Sequence, residues 1–454
     1  MLPDDVLLEI FAFHVEEIDF SSINAWHTLV HVCRKWRIVV FGSPRSLNLR
    51  LQLQCGTTKE RAQEKLDIWP LLPIVLRQCC FVPKAMDYIM AALEHNDRVC
   101  EIKLWNAKIS EFMPAMQEPF PTLTILYLSL GDAFPKTQVI PNSFLGGSAP
   151  RLRELTLVEI SFPGLPKLLP SATHLVQLRL SQIPHSGYIS PEAMVTCLSA
   201  LTRLQTLALG FQSPQSRPDR EGRRPLLLTH SILPVLTDFA FSGVSKYLED
   251  FVERIDAPML SNLHITFFYQ VMFNIPNLPQ FISRTPNLKA RDEACLDIYY
   301  FLVHLAPVRH RGFQVALEVS PSQTDWLSPF AQICRSSFPH TFISSLENLY
   351  IRECRRLPSE GETTNAQWLE LFHPFTAVKN LYLSKEITLH IASVLHELVG
   401  ERVVEILPAL QGLFLEEVNP ARPVREAIGQ FVAARQLSSH PIAVSHWVKE
   451  EDEW

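Results

Sequence analysis

The chain has 454 residues, of which 47% are hydrophobic and 19% charged, and its formal net charge is −6. This balance is typical of a globular protein and excludes a largely disordered chain, and the acidic charge gives no indication of a general affinity for nucleic acid. The length exceeds what one compact core usually organises, so the sequence predicts either two domains or one linear array of repeats.

Residues 1–45 are predicted to form a module of three short helices. Pro3 suits the first position of a helix, and Asp4 and Asp5 place negative charge at its positive end. Apolar residues then cover more than half of this helix: Val6, Leu7, Ile10, Phe11 and Phe13. A further apolar stripe, predicted to lie on one helix, follows at helical spacing: Trp26, Leu29, Cys33 and Trp36. A module of this size buries little apolar surface. We therefore expect the rest of the chain or a partner to stabilise it.

The Leu2-Pro3 pair and the run Leu29-x-x-Val32-Cys33-x-x-Trp36 resemble the F-box, most closely that of a large group of fungal F-box-like proteins. In that family the exposed apolar side chains dock onto a Skp-type adaptor, which joins a cullin-based ubiquitin ligase. The resemblance implies adaptor-binding roles for a set of residues: Leu2, Pro3, Leu7, Ile10, Leu29, Val32 and Trp36. The alternative is that about half of them form the internal core of the module, and the two roles are not exclusive.

Residues 46–98 are predicted to be a linker and the N-terminal cap of the array that follows. Four leucines alternate with other residues, which is typical of a strand with one buried face: Leu47, Leu49, Leu51 and Leu53. A helix is expected next, with one apolar face turned inward: Met86, Ile89, Met90 and Leu93. Terminal repeats need such a cap to cover their open core.

From residue 99 to residue 425 the sequence repeats the template Leu-x-x-Leu-x-Leu-x-x-apolar. The more complete copies start at six leucines: Leu152, Leu175, Leu236, Leu260, Leu346 and Leu410. Weaker copies start at Val99, Leu123, Leu204 and Val378, and a Pro-x-Leu triplet marks a start at Leu288. Outside the gap between Leu288 and Leu346, successive starts lie 23 to 32 residues apart. In the gap, Val315 and Leu317 mark a further expected strand.

This template and period resemble leucine-rich repeats. The resemblance implies an α/β fold in which the three-helix module is followed by an irregular solenoid with a mainly parallel curved sheet. Returning segments are expected to be helical at 246–255 and 387–398, and residues 426–454 to form a C-terminal cap, with a helix at 427–435, and an acidic tail. A set of unrelated β-α units is the alternative. Apolar residues stand where such repeats usually carry asparagine, so no continuous asparagine ladder is expected: Ile160, Ile183, Val244 and Val418.

In repeats of this kind the residues between the inward leucines face the concave side. Possible target-binding residues there are the aromatic and basic ones: Trp105, Tyr127, Arg179, His264, Tyr350, Arg352, Tyr382 and Phe414. The alternative is that strand aromatics pack against the next repeat. The segment 212–225 is predicted to be an exposed insertion, whose four arginines either recognise an acidic or phosphorylated partner or are simply solvated.

Catalytic signatures are missing from the sequence. It has no Gly-x-Ser-x-Gly, no Gly-x-x-x-x-Gly-Lys-Ser/Thr and no Gly-x-Gly-x-x-Gly. His27 and His31 have zinc-ligand spacing, but Thr28 stands where a metalloprotease needs glutamate and no third ligand is evident. Cys33, placed on the apolar stripe, and the adjacent pair Cys79-Cys80 are expected to be structural thiols. We therefore predict no catalytic residue, no metal and no cofactor.

Targeting signals and cysteine spacing favour a cytoplasmic or nuclear protein. Asp4 and Asp5 stand where a signal peptide has its positive residues, and no apolar run has membrane-spanning length. The nine cysteines include no Cys-x-x-Cys pair, which favours reduced thiols.

The sequence thus predicts a non-catalytic substrate receptor of a ubiquitin ligase. Its partners would be a Skp-type adaptor, through it a cullin, and an unknown target protein, with no nucleic acid and no membrane. The alternative is a leucine-rich-repeat scaffold with a degenerate F-box, and an enzyme is a more distant third.

Overall fold

The computed structural model describes most of the chain. The described residues are 2–16, 26–43, 47, 49–54, 57–68, 72–78, 85–105, 109–130, 139–214, 230–268, 270, 272–288, 293–299, 302–306, 314–319, 327–337, 345–353, 364–398, 402–416 and 420–448. The chain divides into two compact units. The N-terminal unit comprises Met1–Ile189, Thr196–Thr206 and Gln215–Gly222, and the C-terminal unit comprises Ser190–Val195, Leu207–Pro214 and Arg223–Trp454. The predicted boundaries at residues 45, 98 and 425 stay predictions.

The N-terminal unit begins with the three predicted helices: α1 (Asp4–Glu16), α2 (Trp26–Val32) and α3 (Arg34–Gly42). The prediction that Trp26 to Trp36 share one helical stripe is wrong. Cys33 has extended backbone angles, φ −159° and ψ 169°, and caps α3 by accepting the backbone N–H of Trp36 on its Sγ at 3.5 Å. Apolar spacing continues across such a break, so the pattern alone could not reveal it.

Six strands of the N-terminal unit lie in chain order, and each pairs in parallel with the next: β1 (Leu51–Gln54), β2 (Ile74–Gln78), β3 (Val99–Leu104), β4 (Ile125–Ser129), β5 (Glu154–Val158) and β6 (Gln177–Ile183). The strands β1 and β2 lie inside the region that the sequence predicts as linker and cap. Returning segments include four helices: α4 (Lys59–Ile68), α5 (Ala85–Leu93), α6 (Ile109–Phe112) and α7 (Leu165–Leu168). On the predicted inward face of α5, Ile89 and Leu93 are buried and Met90 is half-buried.

The template leucines form the core of this sheet. Leu126, Leu155 and Leu178 are register partners on neighbouring strands, and all three are fully buried. Because side chains alternate along a strand, the residues between these leucines lie on the opposite face. The register therefore places one row of template leucines in the core and the variable positions on the other side.

The C-terminal unit contains a larger, mainly parallel sheet: β7 (Thr206–Phe211), β9 (Asp238–Gly243), β11 (Asn262–Phe267), β12 (Glu293–Tyr299), β13 (Leu302–Ala306), β14 (Gln314–Val319), β15 (Asn348–Glu353), β16 (Asn380–Leu383), β17 (Gly412–Leu415) and β18 (Ala443–His446). Two short strands, β8 (Ser231–Ile232) and β10 (Ile255–Asp256), pair separately. Helices accompany the strands: α8 (Pro191–Leu198), α9 (Ser245–Val252), α10 (Asn277–Arg284), α11 (Leu327–Ser337), α12 (Asn365–Phe372), α13 (Lys385–His396), α14 (Arg402–Glu405) and α15 (Arg422–Leu437).

The strand order breaks the expected regularity between β11 and β15. The predicted strand at Val315 and Leu317 is confirmed as β14, which pairs in parallel with β11. The chain also forms β12 and β13, and β13 runs antiparallel to both β12 and β14. The resulting order is β11-β14-β13-β12-β15, so the described part of the gap holds three strands, whereas the sequence predicted one at Val315 and Leu317 besides the repeat that starts at Leu288.

Several returning elements agree with the sequence. The helices expected at 246–255 and 387–398 correspond to α9 and α13, although α9 ends at Val252 and Ile255 lies in β10. The C-terminal helix expected at 427–435 lies within α15. Arg435 of α15 is fully buried and donates hydrogen bonds to the carbonyl oxygens of Val403 at 3.1 Å and Leu410 at 2.8 Å. This arginine joins the last helix to the preceding repeat.

Candidate binding surfaces

An exposed apolar stripe runs along α1. We give this name to Val6, Ile10 and Phe13, together with Leu2 just before the helix; their exposed fractions run from 37% for Val6 to 69% for Phe13. Steps of four and three residues place them on one side of the helix. A continuous line of exposed apolar side chains is typical of a surface that binds a partner.

The residues with predicted adaptor-binding roles divide into two groups. Leu2, Pro3, Ile10 and Val32 are exposed. Leu7 and Leu29 are buried within the three-helix module, and Trp36 is half-buried against Phe11, with 4.7 Å between ring centroids. The motif therefore supplies both the internal core of the module and part of its exposed surface.

Three exposed apolar residues were missed by the sequence prediction: Val6, Phe13 and Ile38. The spacing of Val6 and Phe13 around Ile10 could have revealed the first two. Lys35 of α3 fixes the start of the stripe, because its Nζ donates to the carbonyl oxygen of Leu2 at 2.8 Å and lies 3.1 Å from an Asp4 carboxylate oxygen. The stripe is thus held at one end by a neighbouring helix.

The variable face of β1–β6 carries charged side chains around one buried carboxylate. The side chain of Glu101 on β3 is only 3% exposed. Three cationic side chains lie within 4 Å of it: Arg77 at 2.9 Å, Lys103 at 3.1 Å and Arg50 at 3.6 Å. The single carboxylate of Glu101 is therefore shared among three cationic side chains.

Predicted residues of the N-terminal sheet lie near this charge. Trp105, which follows β3, contacts Tyr127 on β4 with 4.8 Å between ring centroids. Tyr127 is the register partner of Lys103, and Arg179 on β6 is exposed. The aromatic pair and the cations therefore share one face of the sheet.

Three predicted aromatic residues of the C-terminal unit form a stack that we call the aromatic ladder: Tyr350, Tyr382 and Phe414. They are register partners on β15, β16 and β17. Ring centroids are 4.1 Å apart for Tyr350 and Tyr382 and 4.4 Å apart for Tyr382 and Phe414, with interplanar angles of 9° and 14°. These rings pack against the next repeat. The sequence analysis gave this arrangement as the alternative to target binding.

Trp447 completes the ladder and was missed by the sequence prediction. Its ring lies edge-on to Tyr350 at 5.9 Å and to Tyr382 at 5.8 Å, and its Nε1 donates to the carbonyl oxygen of Leu383 at 3.1 Å. Its place on this face follows from register, since Trp447 stands two residues after Ser445, the register partner of Phe414, and the sequence alone gives no signal of that pairing.

The remaining predicted residues of this unit lie elsewhere on the sheet. His264 on β11 has its Nε2 at 3.3 Å from the Thr266 hydroxyl of the same strand. Arg352 lies two residues after Tyr350 on β15 and is half-buried. Asparagines form one short contact at the strand starts, where Asn380 Nδ2 donates to Asn348 Oδ1 at 2.8 Å.

Three buried thiols among the described residues are unsuited to act as nucleophiles. Burial raises the pKa of the Cys197 thiol to about 11 and also raises the pKa of Cys100 and Cys334, so these thiols are protonated at neutral pH and are weak nucleophiles. Cys33 is exposed at the start of α3, which corrects its predicted place on an apolar helix stripe. Within the described ranges, no three His, Cys, Asp or Glu residues come together as a metal site.

Several predicted features lie outside the described residues. They are Cys79-Cys80, the arginines of the 212–225 insertion and the acidic residues 450–453; the side chain of His27 is also not described. Among the helices that are described, none has the length and apolar character needed to cross a membrane.

Comparisons with known proteins identify no family for this chain. No family model matches it, and no curated protein matches its sequence. Among solved structures, it is similar to the leucine-rich repeat-containing protein LegL7 from Legionella pneumophila, at 12% identity and a TM-score of 0.27, over 87% of this chain and 99% of that one. The assignment to an α/β fold with leucine-rich repeats therefore depends on the strand register and on the buried template leucines.

Proposed function

We propose that this chain is a non-catalytic substrate-recognition subunit of a Skp/cullin/F-box ubiquitin ligase. The observation that carries the proposal is the exposed apolar stripe on α1, inside the segment that resembles the F-box. Its side chains would dock onto a Skp-type adaptor and, through it, join a cullin. Such a subunit would act in the cytoplasm or nucleus.

The sheets would supply the second half of this function. Stacked repeats present extended surfaces that suit protein partners, and both sheets carry aromatic or charged residues on their variable face. A target held there would be kept near the ubiquitin-transferring enzyme, which raises the effective concentration of its lysines. No chemistry is required of the chain itself.

Co-purification with a Skp-type adaptor tests this proposal. The full chain should retain the adaptor at micromolar concentration. Ile10→Asp should weaken binding at least about 30-fold, or about 2 kcal/mol, because a charge would replace an apolar contact in the interface. The matched control is Leu437→Asp, because Leu437 is 88% exposed on α15 and lies outside the stripe. Circular dichroism should show both variants folded.

The alternative function is a leucine-rich-repeat interaction scaffold with a degenerate F-box. The burial of Leu7 and Leu29 favours it, because these motif residues are used inside the module. Failure of the wild-type chain to bind the adaptor at micromolar concentration would support the scaffold. Equal loss of binding in Ile10→Asp and Leu437→Asp would also remove the basis of the ligase proposal.

A further inference from the structure

The register of the N-terminal sheet assembles a row of side chains that are far apart in sequence. Five residues on β2 to β6 are successive register partners: Arg77, Lys103, Tyr127, Thr156 and Arg179. We call this set the cationic row. It contains three cations and two hydroxyl groups and no carboxylate, so every member can donate a hydrogen bond.

Counted together with the neighbouring Arg50, Glu101 and Glu154, the row keeps a net positive charge. Glu101, two residues before Lys103 on β3, lies within 4 Å of Arg77 and Lys103 and also of Arg50. Arg179, at the far end of the row, is exposed to solvent. Positive charge on a partly desolvated face favours an anionic ligand more strongly than the same charge on an open surface does.

We propose that the cationic row binds an extended acidic segment of a partner protein, through aspartate or glutamate carboxylates. This inference rests on the proposed target-binding role of the sheet and names the chemistry of the target. Strands lie about 4.8 Å apart, so four steps from Arg77 to Arg179 span about 19 Å. An extended peptide advances about 3.3 Å per residue, so about six residues cover the row, with alternate side chains facing it.

The spread of the cations favours carboxylates over a single phosphate. A phosphate is bound by several donors that converge on one point. Here Arg179 stands three strands away from Lys103, and Arg77 and Lys103 already share the carboxylate of Glu101. Several spaced carboxylates fit this arrangement better than one compact dianion does.

Fluorescence anisotropy with the full chain tests the inference. The probe is a labelled ten-residue peptide with glutamate at alternate positions and serine between, and its control carries glutamine in place of glutamate. The acidic peptide should bind and the glutamine peptide should not. Raising the salt concentration from about 0.05 M to about 0.3 M should weaken binding, because exposed charges are screened.

Matched variants locate the site. Arg179→Glu should weaken peptide binding at least about fivefold, since it replaces attraction by repulsion. Arg151→Glu changes an exposed arginine that lies just before β5 and outside the row, so it should alter binding less than about twofold. Equal effects of the two variants would overturn the proposed site.

Three further outcomes would overturn the ligand class. These are equal binding of the glutamine peptide, binding only when the serines are phosphorylated, or tighter binding of single-stranded DNA than of the acidic peptide. The adaptor assay separates this inference from the proposed function, because Arg179→Glu should bind the adaptor normally and Ile10→Asp should bind the peptide normally.

Discussion

The two units build their sheets from the same inward pattern and cover the opposite faces with different chemistry. Leu155 of the N-terminal sheet and Leu381 of the C-terminal sheet are both fully buried. On the variable face, the first sheet carries the cationic row, and the second carries the aromatic ladder. The inward residues are thus set by packing, and the variable residues distinguish one sheet from the other.

The two variable faces also differ in how closely their own residues pack against one another. The rings of the aromatic ladder stack on one another, so removing one ring should cost folding free energy. The net positive charge of the cationic row adds no comparable stacking to the folded state. It is expected to affect the binding of an anionic partner instead. The comparison therefore predicts stability effects in the ladder and affinity effects in the row.

The largest effect is expected in the shared core. Leu155→Ala and Leu381→Ala should each lower the free energy of unfolding by about 3 kcal/mol, since each leaves a cavity in a buried leucine row. Urea denaturation followed by circular dichroism measures both. A loss of unfolding free energy below about 1 kcal/mol in one variant would show that the inward leucines of the two sheets do not contribute equally to stability.

An intermediate effect is expected in the aromatic ladder. Tyr382→Ala removes a ring that stacks on two neighbours and should lower the free energy of unfolding by about 2 kcal/mol. Tyr127→Ala removes one tilted contact with Trp105 and should lower it by about 1 kcal/mol. The same denaturation experiment compares them. An equal loss of unfolding free energy in Tyr127→Ala and Tyr382→Ala would show that stacking in the aromatic ladder does not stabilise the fold more than the Trp105–Tyr127 contact does.

The smallest effect is expected from pH. Burial raises the pKa of Glu249 on α9 above its ordinary 4.5, although its carboxylate accepts the backbone N–H groups of Asn277 at 2.6 Å and Leu278 at 2.9 Å. The folded chain then holds this proton more tightly than the unfolded chain does. The contribution of Glu249 to the free energy of unfolding is therefore fully present below pH 4.5 and is lost as pH rises through the raised pKa.

Glu249→Gln should therefore make stability less dependent on pH just above 4.5. Denaturation midpoints measured across the acidic range test this. Glu386→Gln is the matched control, because Glu386 is exposed in the first turn of α13 and is not among the groups that shift the pKa of Glu249. An unchanged slope in Glu249→Gln, or an equal change in Glu386→Gln, would contradict the account.

Sequence predicted the fold well where the signal is local. Leu178 and Leu180 alternate within a few residues and lie buried on β6, as the template predicted. The helix break at Cys33 was missed because apolar spacing continues through it. The β12–β13 pairing was missed because Arg291 and Glu293 interrupt the template and because antiparallel pairing within the gap depends on tertiary structure.

The candidate surfaces were predicted only in part, for a physical reason. Parity along each strand was enough to place Tyr350, Tyr382 and Phe414 on the variable face. The contact of Trp447 and the alignment of Arg77 with Arg179 depend on the register between strands that are far apart in sequence, which no local pattern specifies. Exposure of the apolar stripe likewise required knowledge of which side of α1 the module buries.

Hydrogen exchange of the full chain, with and without a saturating Skp-type adaptor, tests the central claim most directly. The account predicts that the adaptor slows exchange in α1, with smaller changes in α2 and α3, and leaves the strands of both sheets unchanged. It also predicts that Ile10→Asp abolishes this protection and that Leu437→Asp retains it. Protection confined to the sheets, or no protection in α1 under saturating adaptor, would contradict the account.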